Sequence, residues 1–165
     1  MRTASVRSAP LVALLAFGLT GCSFFRQIGF APNEPDRASL RQDVPSDEPE
    51  HVAVQHVLIS FEGLKVAGVT RTRDEAERLA RRVESEARAG RDFAELVRTY
   101  SDDRGDGRYA LANWGVAAGP EETERRKMVR GFGAMAFSLQ PGEVGVVPYD
   151  TGSSPFGWHI VKRVK

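Results

Sequence analysis

The chain has 165 residues, 23 basic and 22 acidic side chains, a formal net charge of +1, and 41% hydrophobic residues. That length suits one domain with additional segments, and the composition is ordinary for a folded protein. Acids interleave with the bases of "RLARRVESEARAGR", which is the pattern of a solvated helix face, so nucleic acid is not expected as a partner.

The first segment, "MRTASVR", carries Arg2 and Arg7 and no acid, and the apolar run "LVALLAFGL" covers Leu11 to Leu19. The run is short of the about 20 apolar residues that span a bilayer. A basic start and a short apolar core form the pattern of a secretory signal peptide, which assigns residues 1–21 to one. Cys22 closes "LTGC" and is the only cysteine, so no internal disulfide can form. This stretch resembles the lipobox of bacterial lipoproteins. The resemblance implies that Cys22 is lipidated, becomes the new N-terminus and anchors the chain to a membrane. Ser23 follows in place of the aspartate that often retains lipoproteins at the inner membrane, which points to the outer membrane, facing the periplasm. Residues 22–50 then read as the lipidated cysteine and a flexible tether, because "APNEPDRASLRQDVPSDEPE" has four prolines and many acids but few large apolar groups.

Residues 51–165 carry the folding pattern. "HVAVQHVLIS" is rich in β-branched residues and reads as a strand over about Val52 to Ser60. Alternation puts Val54, His56 and Leu58 on one of its faces. Thr72 with Glu75 is a capping box, followed by an apolar stripe of Ala76, Leu79, Ala80, Val83 and Ala87, with Gly90 in the position of a left-handed cap. Asp92 and Glu95 open a second helix, "DFAELVRTY". A turn-rich loop, "SDDRGDGR", leads to a short strand in "YALANWGV". "AAGPEETERRK" reads as a charged connection that begins a third helix, continued in "MVRGFGAMAFSL", where Gly131 and Gly133 weaken the helical pattern. "QPGE" is a turn, and "VGVVPY" and "WHIVKRV" pair as a terminal hairpin. This order gives an α+β fold with a small, mainly antiparallel sheet of four strands and flanking helices.

The blocks "QHVLIS", "TRDEAERLARRVESEARAGRDFAELVRTYSDD", "NWGV", "MVRGF", "AMAFSLQPGEV" and "FGWHIVK" resemble, in order, those of the parvulin-type peptidyl-prolyl isomerases, and they cover nearly all of residues 51–165. The resemblance implies a parvulin- and FKBP-like fold. It also implies a catalytic group of His56, Asp103 and His159, with the two histidines close together. It assigns Trp114, Met128, Phe132 and Phe156 to an apolar pocket for the proline ring. It calls for no cofactor and no metal, and for proline-containing unfolded or extended polypeptides as substrates of a monomeric protein. The alternative is a membrane-anchored chaperone module that binds peptides in the same groove without catalysis. Two strand histidines and an aspartate could also form a three-ligand metal set, but no H-x-x-x-H or C-x-x-C spacing accompanies them. A hydrolase triad of Ser101, Asp103 and His159 lacks the G-x-S-x-G elbow. The first loop holds Lys65 and Arg71 without a dense basic cluster, which gives no support to phosphorylated substrates.

Overall fold

The computed structural model describes Pro45 and residues 47–165. The segment read as a signal peptide, Cys22 and most of the segment read as a tether lie outside the described residues. Strand β1 (His51–Ile59) is followed by helices α1 (Arg73–Arg88) and α2 (Phe93–Tyr100), then strands β2 (Arg108–Ala112) and β3 (Glu122–Glu124). A 3₁₀ turn (Arg125–Lys127) leads into helix α3 (Arg130–Ser138), and strands β4 (Val144–Val147) and β5 (Trp158–Arg163) close the fold. The sheet has the order β3-β2-β1-β5-β4. β1 pairs antiparallel with β2 and β5, and β4 pairs antiparallel with β5.

The fifth strand is a departure from the four-stranded expectation. Glu122–Glu124 lies parallel to β2, where the charge pattern suggested the beginning of a helix. Three charged or polar residues carry no period-2 signal. The strand is held by backbone pairing and by Glu122, which takes the Gly119 N–H at 2.7 Å and meets His51 Nδ1 at 3.0 Å.

The capping box at the start of α1 is formed in both directions: Thr72 Oγ1 accepts from the Glu75 N–H, and Glu75 Oε2 accepts from the Thr72 N–H at 2.7 Å. Ala76, Ala80, Val83 and Ala87 are its buried stripe, and Phe93, Leu96 and Val97 are that of α2. These side chains pack on Val57, Ile59 and Ile160 on one face of the sheet. The opposite face, with Val52, Val54 and Val161, is covered by Phe132, Ala136 and Phe137 of α3. The sheet is therefore enclosed between α1 and α2 on one side and α3 on the other. The two glycines that weaken the helical pattern of α3 have a packing cause at Gly131. A Cβ there would lie 2.7 Å from Val147 Cγ1 and 2.9 Å from the Ser153 carbonyl oxygen, so only glycine lets the first turn approach β4 and the β4–β5 loop this closely.

The last residues of the segment read as tether are bound to the domain. Glu48 Oε2 accepts from Arg125 Nη1 at 2.6 Å and from Asn113 Nδ2 at 3.1 Å, and the Pro49 carbonyl accepts from Asn113 at 2.9 Å.

Candidate active site

His56 sits opposite Val161 in the β1–β5 ladder, and His159 sits opposite Leu58. Directly opposed residues share a face, so the two histidines are diagonal neighbours on the α3 side of the sheet. Their rings are nearly parallel, 21° apart, with centroids 5.4 Å apart and Nδ1 atoms at 3.3 Å. Both are buried, at 3% and 5% exposure. Phe132 reaches between them from α3, edge-on to His56 at 5.1 Å and to His159 at 5.5 Å.

Asp103 arrives from the loop after α2, and β1 holds that loop in place. The Asp102 N–H donates to the Leu58 carbonyl at 2.8 Å, and the Leu58 N–H donates to Ser101 Oγ at 3.1 Å. Asp103 Oδ2 thereby lies 3.1 Å from His56 Nε2. A second contributor comes from β2: Tyr109 donates its hydroxyl to the same oxygen at 3.2 Å. Asp102 is committed elsewhere. It pairs with Arg71, which also donates to the Ser60 carbonyl, and together these contacts clamp the base of the loop between β1 and α1.

The contact with His56 holds the Asp103 carboxyl below its ordinary value, against an opposing effect of partial burial. A carboxylate only accepts, so His56 presents Nε2–H to it. In neutral His56, Nδ1 is then a bare lone pair and receives the Nδ1–H of His159. Burial, with the neighbouring His56 second, pushes the His159 imidazole down to about 3. It therefore stays neutral in the fold at neutral and mildly acidic pH. In the unfolded chain His159 titrates near its ordinary 6.5. Between these two values the unfolded chain binds a proton that the native chain does not, so stability falls as pH falls. The slope is on the order of 1 kcal/mol per pH unit. The depressed Asp103 acts in the same direction at lower pH. Denaturant titrations between pH 7 and pH 4 should show this slope in the wild type and a flatter one in His159→Leu; equal slopes would contradict it.

A cleft of about 540 Å³ opens above this chain of groups. His56, His159, Tyr109 and Phe132 form its floor, and Leu58, Met128, Val129 and Phe156 supply apolar walls. Lys65, Arg104 and Lys127 stand at its exposed rim. The structure thus brings together His56, Asp103, His159, Met128, Phe132 and Phe156. It does not bring Trp114. β2 ends at Ala112, opposite His51, so Trp114 follows the end of β1 that is five residues, roughly 17 Å, from His56. Asn113 turns the chain there: its Oδ1 accepts the Trp114 N–H at 2.8 Å while its amide donates to Glu48. Tyr109 supplies the β2 ring of the cleft instead. Strand alternation could have found it, because Tyr109 lies opposite Val54, on the face that His56 shares. Among the described residues there is no group of three or more metal-ligating side chains that could hold a metal ion.

The family model described as Rotamase_3, PPIC-type PPIASE domain, matches residues 40–165. The chain is 29% identical over 127 residues to the protein named Chaperone SurA from Nitrosospira multiformis, a match covering 76% of this chain and 25% of that one. It thus spans about a quarter of the length of that relative. The structure resembles Peptidyl-prolyl isomerase ESS1 from Candida albicans with a TM-score of 0.51 and 25% identity, over 70% of this chain and 63% of that one. Matched across well over half its length by the family model, and folded around a two-histidine cleft, this chain belongs to the PPIC-type peptidyl-prolyl isomerases, the parvulins.

Proposed function

We propose that the protein catalyses cis–trans isomerisation of X-Pro bonds in exported polypeptides, and that Cys22 anchors it by a lipid to the bacterial cell envelope. The observation that carries the catalytic part is the Asp103–His56–His159 chain at the floor of a cleft walled by Met128, Phe132 and Phe156.

An amide resists rotation by about 18–20 kcal/mol because twisting removes its resonance. Unassisted X-Pro exchange takes tens to hundreds of seconds. Accelerating it ~10⁴-fold means lowering the barrier by about 5–6 kcal/mol. No bond breaks, so no nucleophile is needed; the site has only to bind the twisted amide better than the planar one. The planar amide is the more polar form and loses more on leaving water, so a pocket that excludes water favours the twist. Met128, Phe132 and Phe156 hold the pyrrolidine ring, while the fixed dipoles of His56 and His159 and the charge of Asp103 orient the amide. Proton transfer has no part in this scheme.

A protease-coupled isomerisation assay on short X-Pro peptides tests it, run beside a fluorescence titration of the same peptides. Catalysis is expected with peptide binding. Binding that leaves the isomerisation rate at background would replace the enzyme with a chaperone module that holds peptides in this cleft.

The anchor is supported by the basic start, the apolar run of Leu11 to Leu19 and "LTGC" ending in Cys22. The full chain expressed in a bacterial host should incorporate labelled fatty acid and sediment with membranes, and Cys22→Ser should do neither. Labelling that survives Cys22→Ser would remove the lipobox reading.

A further inference from the structure

We propose that Tyr109 is a positioning residue: its hydroxyl, donating to Asp103 Oδ2, fixes the carboxylate in the orientation that selects the Nε2–H tautomer of His56 and, through it, the Nδ1–H tautomer of His159.

The geometry carries this in three steps. Asp103 is tethered on both oxygens: Oδ1 accepts the Arg104 N–H at 2.8 Å, and Oδ2 lies between Tyr109 Oη at 3.2 Å and His56 Nε2 at 3.1 Å. The carboxylate is one-third open to solvent, at 34%. Without the hydroxyl, Oδ2 would be held only by His56, and water would compete for it directly. Next, the neutral His56 ring has one tautomer open to it while that oxygen faces it, since an Nδ1–H tautomer would set the Nε2 lone pair against a carboxylate oxygen at 3.1 Å. Finally, the Nδ1···Nδ1 contact of 3.3 Å has room for one proton. With His56 Nδ1 bare, His159 must supply it. A hydroxyl on β2 thus sets the protonation pattern of a ring on β5.

The bland reading is that Tyr109 is only a wall whose hydroxyl takes the nearest acceptor. Its ring does pack edge-on to His56 at 5.3 Å and to Phe132 at 5.7 Å. Tyr109→Phe keeps those contacts and removes only the hydroxyl, which separates the two readings. The remaining charged groups nearby are Asp102, paired with Arg71, Asp106, whose charge also raises the Tyr109 phenol, and Lys65, Arg104 and Lys127 at the rim.

The kinetic consequence rests on the isomerase reading; the tautomer consequence does not. Two-bond ¹H–¹⁵N correlation spectra of the imidazoles should show His56 as Nε2–H and His159 as Nδ1–H in the wild type at neutral pH. In Tyr109→Phe the His56 tautomers should mix, and the Asp103 carboxyl, followed by ¹³C, should titrate higher. The kcat on an X-Pro peptide should fall about tenfold with KM nearly unchanged, as for loss of one orienting hydrogen bond. Unchanged tautomers and an unchanged Asp103 titration, with only a lower Tm, would overturn the proposal. A wild type without isomerase activity would remove the kinetic arm along with the proposed function and leave the spectra to decide. Should Tyr109→Phe fail to fold, Asp103→Asn serves instead. Burial and then Asp103 raise the Tyr109 phenol, so its titration should drop in Asp103→Asn; a phenol indifferent to that change would also overturn the proposal.

Discussion

Gly157→Ala is expected to cost about 3 kcal/mol or more, the sum of overpacking and a disallowed backbone. Gly157 has φ +137°, and a Cβ there would lie 2.2 Å from the Ile59 carbonyl oxygen and 2.9 Å from Ser60 Cα. Those are backbone atoms of β1 and the residue after it, so no side-chain rotation relieves the clash. The strain falls where β5 begins, since Trp158 is paired with Ile59 and His159 with Leu58. Separating the strands there would also pull His159 from His56. Gly142→Ala is the control: its φ is +86°, but nothing lies within 4 Å of its Cβ position. That variant carries only the left-handed backbone penalty of about 1–2 kcal/mol. Urea denaturation of the two should show the larger loss at Gly157, and equal losses would contradict the close approach of the strands.

The second large effect concerns catalysis, and the cleft residues separate into two kinetic classes. His56→Ala is expected to lower kcat by about tenfold to a hundredfold, because it removes the central member of a chain of hydrogen bonds. It leaves Asp103 without its His56 contact and His159 Nδ1 without a partner. His159→Ala should act similarly but leave the Asp103–His56 contact in place, and so cost less. Met128→Ala should instead raise KM. Met128 is half-buried on the cleft wall, and losing its thioether removes about 2 kcal/mol of apolar contact with a pyrrolidine ring. Full kinetics on one X-Pro peptide, read as kcat and KM separately, would show the split. A histidine variant that changed only KM would make the pair part of the binding wall and not of the chemistry.

What could be read from the sequence was whatever local chemistry encodes. Thr72 with Glu75, Gly90 and the apolar stripe of α1 declare a helix without help from the rest of the chain. Alternation in β1 assigned His56 its face, while only the resemblance to the parvulins, not local pattern, grouped His159, Asp103, Met128, Phe132 and Phe156, which the fold does bring to one cleft. What could not be read depended on contacts between distant segments. β3 is a strand because β2 offers it a backbone edge, and nothing in Glu-Thr-Glu announces that. Gly131 marks a close approach of α3 to β4, although its local effect on a helix is unfavourable. Trp114 was assigned to the pocket by the block "NWGV", but the two residues by which it passes the end of β2 take it to the far end of β1. Tyr109, which falls between the matched blocks, occupies the face instead. Glu48 belongs by composition to an acidic, proline-rich segment; its pairing with Arg125 and Asn113 is visible only in three dimensions.

The central claim is that the two-histidine cleft lowers the rotation barrier of an X-Pro amide. Magnetisation exchange between the cis and trans NMR signals of an Ala-Pro peptide, with substoichiometric protein, tests it without a coupling protease. Exchange that is undetectable in the free peptide should become fast enough to produce cross-peaks, and they should vanish in His56→Ala. Peptide signals that shift on binding while cis and trans remain in slow, unaccelerated exchange would contradict the account.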